Sequence, residues 1–191
     1  CKHHIPDDVL SIPGFNMIRR DRPYRRGGGI ICYIKSNLPY KIWPTNSDLE
    51  TVWITARPRK LPRQFSTLVY GVLYHPPGAN NRQMLSHITS SLDTILKDHP
   101  HAGIFLLGDF NSLPVNALQS SYNLKQIVKN ATRGTKILDK VMTNASSFYE
   151  TPDIISPLGL SDHNVVLCSP CPAEKIVTHQ PEQKLSRCNG K

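Results

Sequence analysis

Three observations predict a mixed α/β or α+β domain with covered sheets. Short apolar runs rich in β-branched residues recur along the chain. One amphipathic helical pattern lies between two of them, and the run that precedes it is apolar on both faces. The first 29 residues read as turn-rich and basic, punctuated by Pro6, Pro13-Gly14, Pro23 and Gly27-Gly28-Gly29. A strand over 30–34 is entered through that glycine turn, and further strands are expected over 51–56 and 67–74. The last of these should be central in its sheet, and His75-Pro76-Pro77-Gly78 stops it. Met84, Leu85, Ile88, Leu92, Ile95 and Leu96 then fall at helical spacing, with Asn80 or Asn81 as N-cap and core packing as their role. After His99-Pro100 a buried strand over 104–107 runs into Gly108-Asp109-Phe110-Asn111. A polar, partly helical stretch covers 114–130, and strands over 136–142 and 164–168 complete the pattern. The domain is placed at 1–170 and a polar linker or tail at 171–191.

The chain has 191 residues, 39% hydrophobic and 19% charged, enough for one domain with a core. This composition excludes a disordered, collagen-like or mucin-like protein, and no apolar run is long enough to span a membrane. The opening Cys1-Lys2-His3-His4 shows neither an apolar leader nor an initiator Met, which sets the expectation that the natural polypeptide starts upstream.

Charge is unevenly distributed. The net charge is +9, and the window from Arg19 to Arg63 carries eleven basic residues against Asp21, Asp48 and Glu50. A block headed by Arg19, Arg20, Arg22, Arg25 and Arg26 suits a polyphosphate partner, nucleic acid first; the alternative is a solubilising basic face. The five cysteines, Cys1, Cys32, Cys168, Cys171 and Cys188, form no disulfide framework. Cys168-Ser169-Pro170-Cys171 has zinc-knuckle spacing without a second pair, with only His179 and Cys188 nearby, so these read as ordinary thiols.

Two strand ends carry candidate chemistry. Asp109 and Asn111 lie two residues apart past a buried strand, so extended geometry points both side chains the same way. Asp162 and His163 sit immediately before another strand. Two acids, an amide and an imidazole are the parts needed to hold a hard divalent ion, activate water and donate hydrogen bonds to phosphate oxygens. Either tripeptide alone is also what an Asx turn or a strand-entry turn looks like.

In order, Ile12-Pro13-Gly14-Phe15, Arg19-Arg20-Asp21-Arg22, Arg26-Gly27-Gly28-Gly29, Tyr74-His75-Pro76-Pro77, Gly108-Asp109-Phe110-Asn111, Ile137-Leu138-Asp139-Lys140-Val141 and Leu160-Ser161-Asp162-His163 span most of the chain. This ordered set resembles the endonuclease/exonuclease/phosphatase superfamily, most closely its branch in jockey-like non-LTR retrotransposons. The resemblance implies a four-layer sandwich of two mixed β-sheets flanked by helices. It also implies a Mg²⁺- or Mn²⁺-dependent endonuclease that nicks DNA in the nucleus for element insertion, with a reverse transcriptase downstream in the parent polypeptide. Asp109 would orient the attacking water, Asn111 and Tyr74 would contact the phosphate, and Asp162 would serve the metal. His163 would contact the phosphate or shuttle a proton, held in its tautomer by Asp139. The family's opening strands, with a metal-site Asn and a principal metal-ligand Glu, have no counterpart here, and Glu50, in a polar turn ahead of a strand, does not match. The resemblance thus implies a truncated piece with impaired activity. The competing readings are a phosphoesterase of the same superfamily with another substrate, and a non-catalytic nucleic-acid-binding remnant.

Overall fold

The structure, a computed structural model, describes residues 5–22, 28–45 and 47–172. Its largest sheet has six strands in the order β3-β4-β5-β6-β8-β7. These are β3 (Tyr40–Trp43), β4 (Thr51–Ala56), β5 (Thr67–Tyr74), β6 (Ala102–Asp109), β7 (Lys125–Gln126) and β8 (Asp139–Thr143). The β5–β6 pair is parallel and the other pairings are antiparallel. A parallel pair needs a crossover, and α2 (Asn81–Asp98) provides it, with Asn80 Oδ1 accepting from Gln83 N at its start. Two small antiparallel sheets pair β1 (Phe15–Arg20) with β2 (Ile30–Lys35), and β9 (Asp153–Ile155) with β10 (Val165–Leu167). Short helices α1 (Asp7–Leu10) and α3 (Asn116–Ser121) complete the described elements, with a 3-10 turn at Ser146–Phe148.

Side-chain alternation divides the core between the two faces of the large sheet. Trp53, Val69, Leu73, Ile104, Leu106 and Met142 pack with Met84, Ile88, Leu92 and Ile95 of α2. The neighbouring positions face the other way. Val52 and Ile54 meet Ile18 and Ile30 of the β1–β2 sheet, while Leu68, Phe105 and Val141 meet Ile154 and Val166 of the β9–β10 sheet. The result is an α+β sandwich with α2 and α3 on one face of the large sheet and the small sheets on the other. Between β2 and the β4–β5 face the layers leave an apolar cavity of about 650 Å³.

Strands β4 and β5, the helix and the central position of β5 match the sequence reading. Among the described residues before Ile30, the expected turn-rich segment contains a strand: β1 forms because Ile18 is buried on one face, its periodicity hidden by the arginines that follow. β3 and β9 are short and largely exposed, so they carry no apolar signature. The strand expected from 136 begins at Asp139, since Arg133 to Lys136 close a tight turn with Gly134 at φ +54°. Of the expected tail, all but Cys171 and Pro172 lies outside the described residues, as do Cys1, Cys188 and His179. Cys32, Cys168 and Cys171 are free thiols.

The end of β6 depends on one glycine. Gly108 has φ +134°, and a Cβ there would lie 1.9 Å from the Leu73 carbonyl oxygen on β5. No side chain fits that approach, and no L-residue favours that backbone region. Gly108→Ala is expected to cost at least about 2 kcal/mol. Urea unfolding checks this, and a variant as stable as the parent would contradict it.

Candidate active site

Four polar residues lie in register at one end of the large sheet, on the face away from α2. Tyr74 closes β5 and pairs with Asp109, which closes β6; Asp109 pairs in turn with Asp139, which opens β8. Paired residues share a face, so the phenol and both carboxylates stand side by side. Tyr74 N also donates to the Glu50 carbonyl at 3.0 Å, which continues the β4–β5 register by one residue and brings Glu50 into the row.

The loop after β6 is held tightly. Phe110 is fully buried, and its N–H donates to the Leu138 carbonyl at 2.9 Å. His75 N donates to the Asp109 carbonyl at 2.8 Å. Asn111 takes φ +45°, a backbone region that Asn tolerates better than most residues. Its N–H donates to Asp109 Oδ1 at 3.1 Å and its Nδ2 to the His75 carbonyl at 2.9 Å. An Asx turn thus replaces the extended geometry expected past β6, and it is the device that aims Asn111.

His163 arrives from the opposite layer. Ser161 Oγ accepts from His163 N at 3.1 Å and donates to the His163 carbonyl at 3.2 Å, shaping the turn before β10. The imidazole Nδ1 lies 2.8 Å from Asp139 Oδ2. An ionised carboxylate only accepts, so Nδ1 carries the proton and Nε2 is left as the nitrogen that can exchange one. Thr132, fully buried, ties this assembly together. Its Oγ1 accepts from both Leu138 N and Asp139 N at 3.0 Å, and its carbonyl accepts from Asn164 N at 2.7 Å. The sequence offers no signal for Thr132, because a lone threonine in a polar stretch is not distinctive.

Electrostatics follow from this crowding. Burial pushes the Asp109 carboxyl above its ordinary range, opposed by the Asn111 N–H; the facing Asp139 raises it further and His163 lowers it. Lys140, whose Nζ donates to the Asn111 carbonyl at 3.3 Å, is pulled below its ordinary range by burial while Asp109 and Asp139 favour its charge. Beside Asn111, a cavity of about 810 Å³ is lined by Ser112, Arg133, Thr135 and Lys136 among others.

The remaining sequence candidates fall differently. Asp162 is exposed, and its carboxylate lies 2.5 Å from Arg133 Nη2. Arg19 pairs with Asp7 and Asp21, each at 2.7 Å. Arg20 donates to Thr45 Oγ1 and to the Thr51 and Ser47 carbonyls. Arg22 pairs with Glu50 at 2.7 Å and stacks over Tyr74. Arg19, Arg20 and Arg22 therefore have partners within the chain, while Arg25 and Arg26 lie outside the described residues. Asp139 is engaged by His163 and Asp162 by Arg133, and among the described residues no group of three or more His, Cys, Asp or Glu could hold a metal.

Two expectations follow. The folded chain holds Asp109 above its unfolded value, so stability falls as the pH rises from the unfolded value through the raised one, and above that the penalty is complete. At lower pH, where the carboxyl is neutral in both states, the penalty is absent. Asp109→Asn should therefore raise Tm at neutral pH and change it little at about pH 3; a lower Tm at neutral pH would contradict the burial argument. Thr132→Val keeps the shape but leaves two backbone N–H groups unpaired, at a cost of about 2 kcal/mol by urea unfolding. A cost near zero would remove Thr132 from this account.

No protein-family model and no curated protein sequence matches this chain. Solved structures do. The endonuclease domain of TRAS1, a telomere-specific non-LTR retrotransposon, superposes with a TM-score of 0.66 at 12% identity, covering 85% of this chain and 82% of that one. A functionally unknown conserved protein from Enterococcus faecalis V583 gives 0.53 at 12% identity, covering 86% and 80%. The row of Tyr74, Asp109 and Asp139 is thus set in a chain that has the fold of a non-LTR retrotransposon endonuclease domain.

Proposed function

We propose that this chain is a phosphodiesterase of the nuclease kind, acting on DNA. The observation that carries the reading is the Asp109–Asp139–His163 assembly at the end of the large sheet, in a chain with a nuclease-like fold. In this reading Asp139 fixes the His163 tautomer, and Nε2 exchanges the proton of the attacking or leaving oxygen. Asp109, raised by burial, orients the attacking water. Asn111 and Tyr74 donate hydrogen bonds to the phosphate oxygens as charge develops there. Lys140 stands behind Asn111 as a cation in contact with the site. The exposed Arg133 and Lys136 on the wall of the adjacent cavity suit a polyanionic strand better than a small neutral ester.

In this reading, as the resemblance implies, the chain works in the nucleus and a reverse transcriptase of the same parent polypeptide extends the nicked end. Among the described residues no group of three or more His, Cys, Asp or Glu is gathered for the Mg²⁺ or Mn²⁺ that the resemblance implies, so no step above runs through an ion. That same deficit favours a second reading, a nucleic-acid binder that does not cleave.

One assay separates them. Supercoiled plasmid is incubated with the parent chain, Asp109→Ala and His163→Ala, and DNA affinity is measured in parallel. The nuclease reading predicts slow nicking by the parent, a loss of about a hundredfold in each variant and little change in affinity. Salt-sensitive binding by all three with no nicking would replace it with the second reading.

A further inference from the structure

The proposed chemistry leaves a buried ion pair without a task. Glu50 is 7% exposed, and both of its carboxylate oxygens are engaged. Oε1 lies 2.7 Å from Arg22 Nε, and Oε2 accepts from Gly29 N at 2.6 Å. The Arg22 guanidinium carbon sits 5.4 Å from the centre of the Tyr74 ring, a cation–π geometry. Gly28 completes the enclosure. At φ +81°, a Cβ there would meet Glu50 Oε2 at 2.8 Å, Tyr74 Cε1 at 3.0 Å and Arg22 Nη1 at 3.2 Å. Glu50 also accepts the Tyr74 backbone N–H through its carbonyl. Two segments distant in sequence, 22–29 and the turn at Glu50, thus converge on one phenol at the end of the row.

A buried ion pair is an inefficient route to stability, since desolvation offsets most of the attraction. What this one achieves is location: it fixes a planar cation over one face of a ring and draws a glycine backbone against the ring's edge. We propose that Glu50 and Arg22 are positioning residues that clamp Tyr74, so that its hydroxyl is presented to the phosphate in one orientation. The purpose of the clamp rests on Tyr74 being a phosphate contact; the clamp itself does not. Gly28 is the element that admits no side chain, because a methyl group there occupies space that the carboxylate and ring now share.

The test uses the full chain labelled with 3-fluorotyrosine, in which Tyr74→Phe assigns one of seven ¹⁹F resonances. Glu50→Gln removes the charge that holds Arg22. Arg22→Lys keeps that charge but loses the planar fork and the ring stacking, and it gives a readout even where Glu50→Gln does not fold. The clamp predicts that both variants shift the Tyr74 resonance and leave the other six in place. It also predicts that Glu50→Gln lowers kcat for plasmid nicking about tenfold with KM unchanged, and has no further effect in a Tyr74→Phe background. An unmoved Tyr74 resonance in both variants overturns the proposal. So does a Glu50→Gln loss that adds in full to that of Tyr74→Phe, the signature of a general structural role. A chain that does not nick at all defeats the nuclease reading, and the ¹⁹F shifts still decide for or against the clamp.

Discussion

Two carboxylates, Asp109 and Asp139, face each other across the β6–β8 ladder, and the architecture around them answers that repulsion. Like charges directly opposite one another weaken a sheet. Here Asp139 is offset by the His163 imidazole, Asp109 by the Asn111 N–H, and both by the nearby Lys140 ammonium. Burial still leaves Asp109 harder to ionise than an ordinary aspartate. A protein selected for stability alone would place a neutral pair at such a position, so the cost points to use. Perturbed carboxylates held by a specific partner are the usual mark of a functional site.

The fold supplies rigidity where this arrangement needs it. The parallel β5–β6 pair, backed by α2, fixes Tyr74 against Asp109. The Gly108 backbone passes so close to Leu73 that the end of β6 cannot slide. Phe110 pins the following loop from below, and Thr132 ties β8 to the segment that carries His163. Groups on rigid elements hold their mutual geometry better than groups on loops. His163 is the exception, since it rides on a turn and depends on Ser161 and Asn164 for its place. The ionic cluster of Glu50 and Arg22 extends the same logic to the far end of the row.

Most of the large sheet was legible in the sequence because β4, β5 and β6 are buried on both faces, and burial of that kind leaves an unbroken apolar run. The helix was legible because α2 packs through one stripe. β3, β7 and β9 were not, since short exposed strands are specified by their neighbours' hydrogen bonds and leave no pattern of their own. At the site, Asp109, Asn111 and His163 announce themselves as polar residues at the ends of apolar runs, whereas Asp139 is set opposite Asp109 by register and meets His163 through its side chain. Glu50 reads from sequence as a turn residue because its importance lies in Arg22 and Gly29, each more than twenty positions away. The arginine cluster shows the opposite difficulty. Composition counts charges, whereas only geometry reveals that Arg19, Arg20 and Arg22 are already engaged within the chain.

The central claim is that Asp139 sets His163 to face a phosphate. Its most direct test is the ¹⁵N spectrum of the histidine side chains, recorded for the parent and Asp139→Asn, with and without a duplex carrying a non-cleavable phosphorothioate. The account predicts a His163 protonated on Nδ1 in the parent, a changed tautomer balance in Asp139→Asn, and a shift of the Nε2 resonance when the duplex binds. A parent His163 protonated on Nε2 alone, or an Nε2 resonance indifferent to the bound duplex, would contradict it.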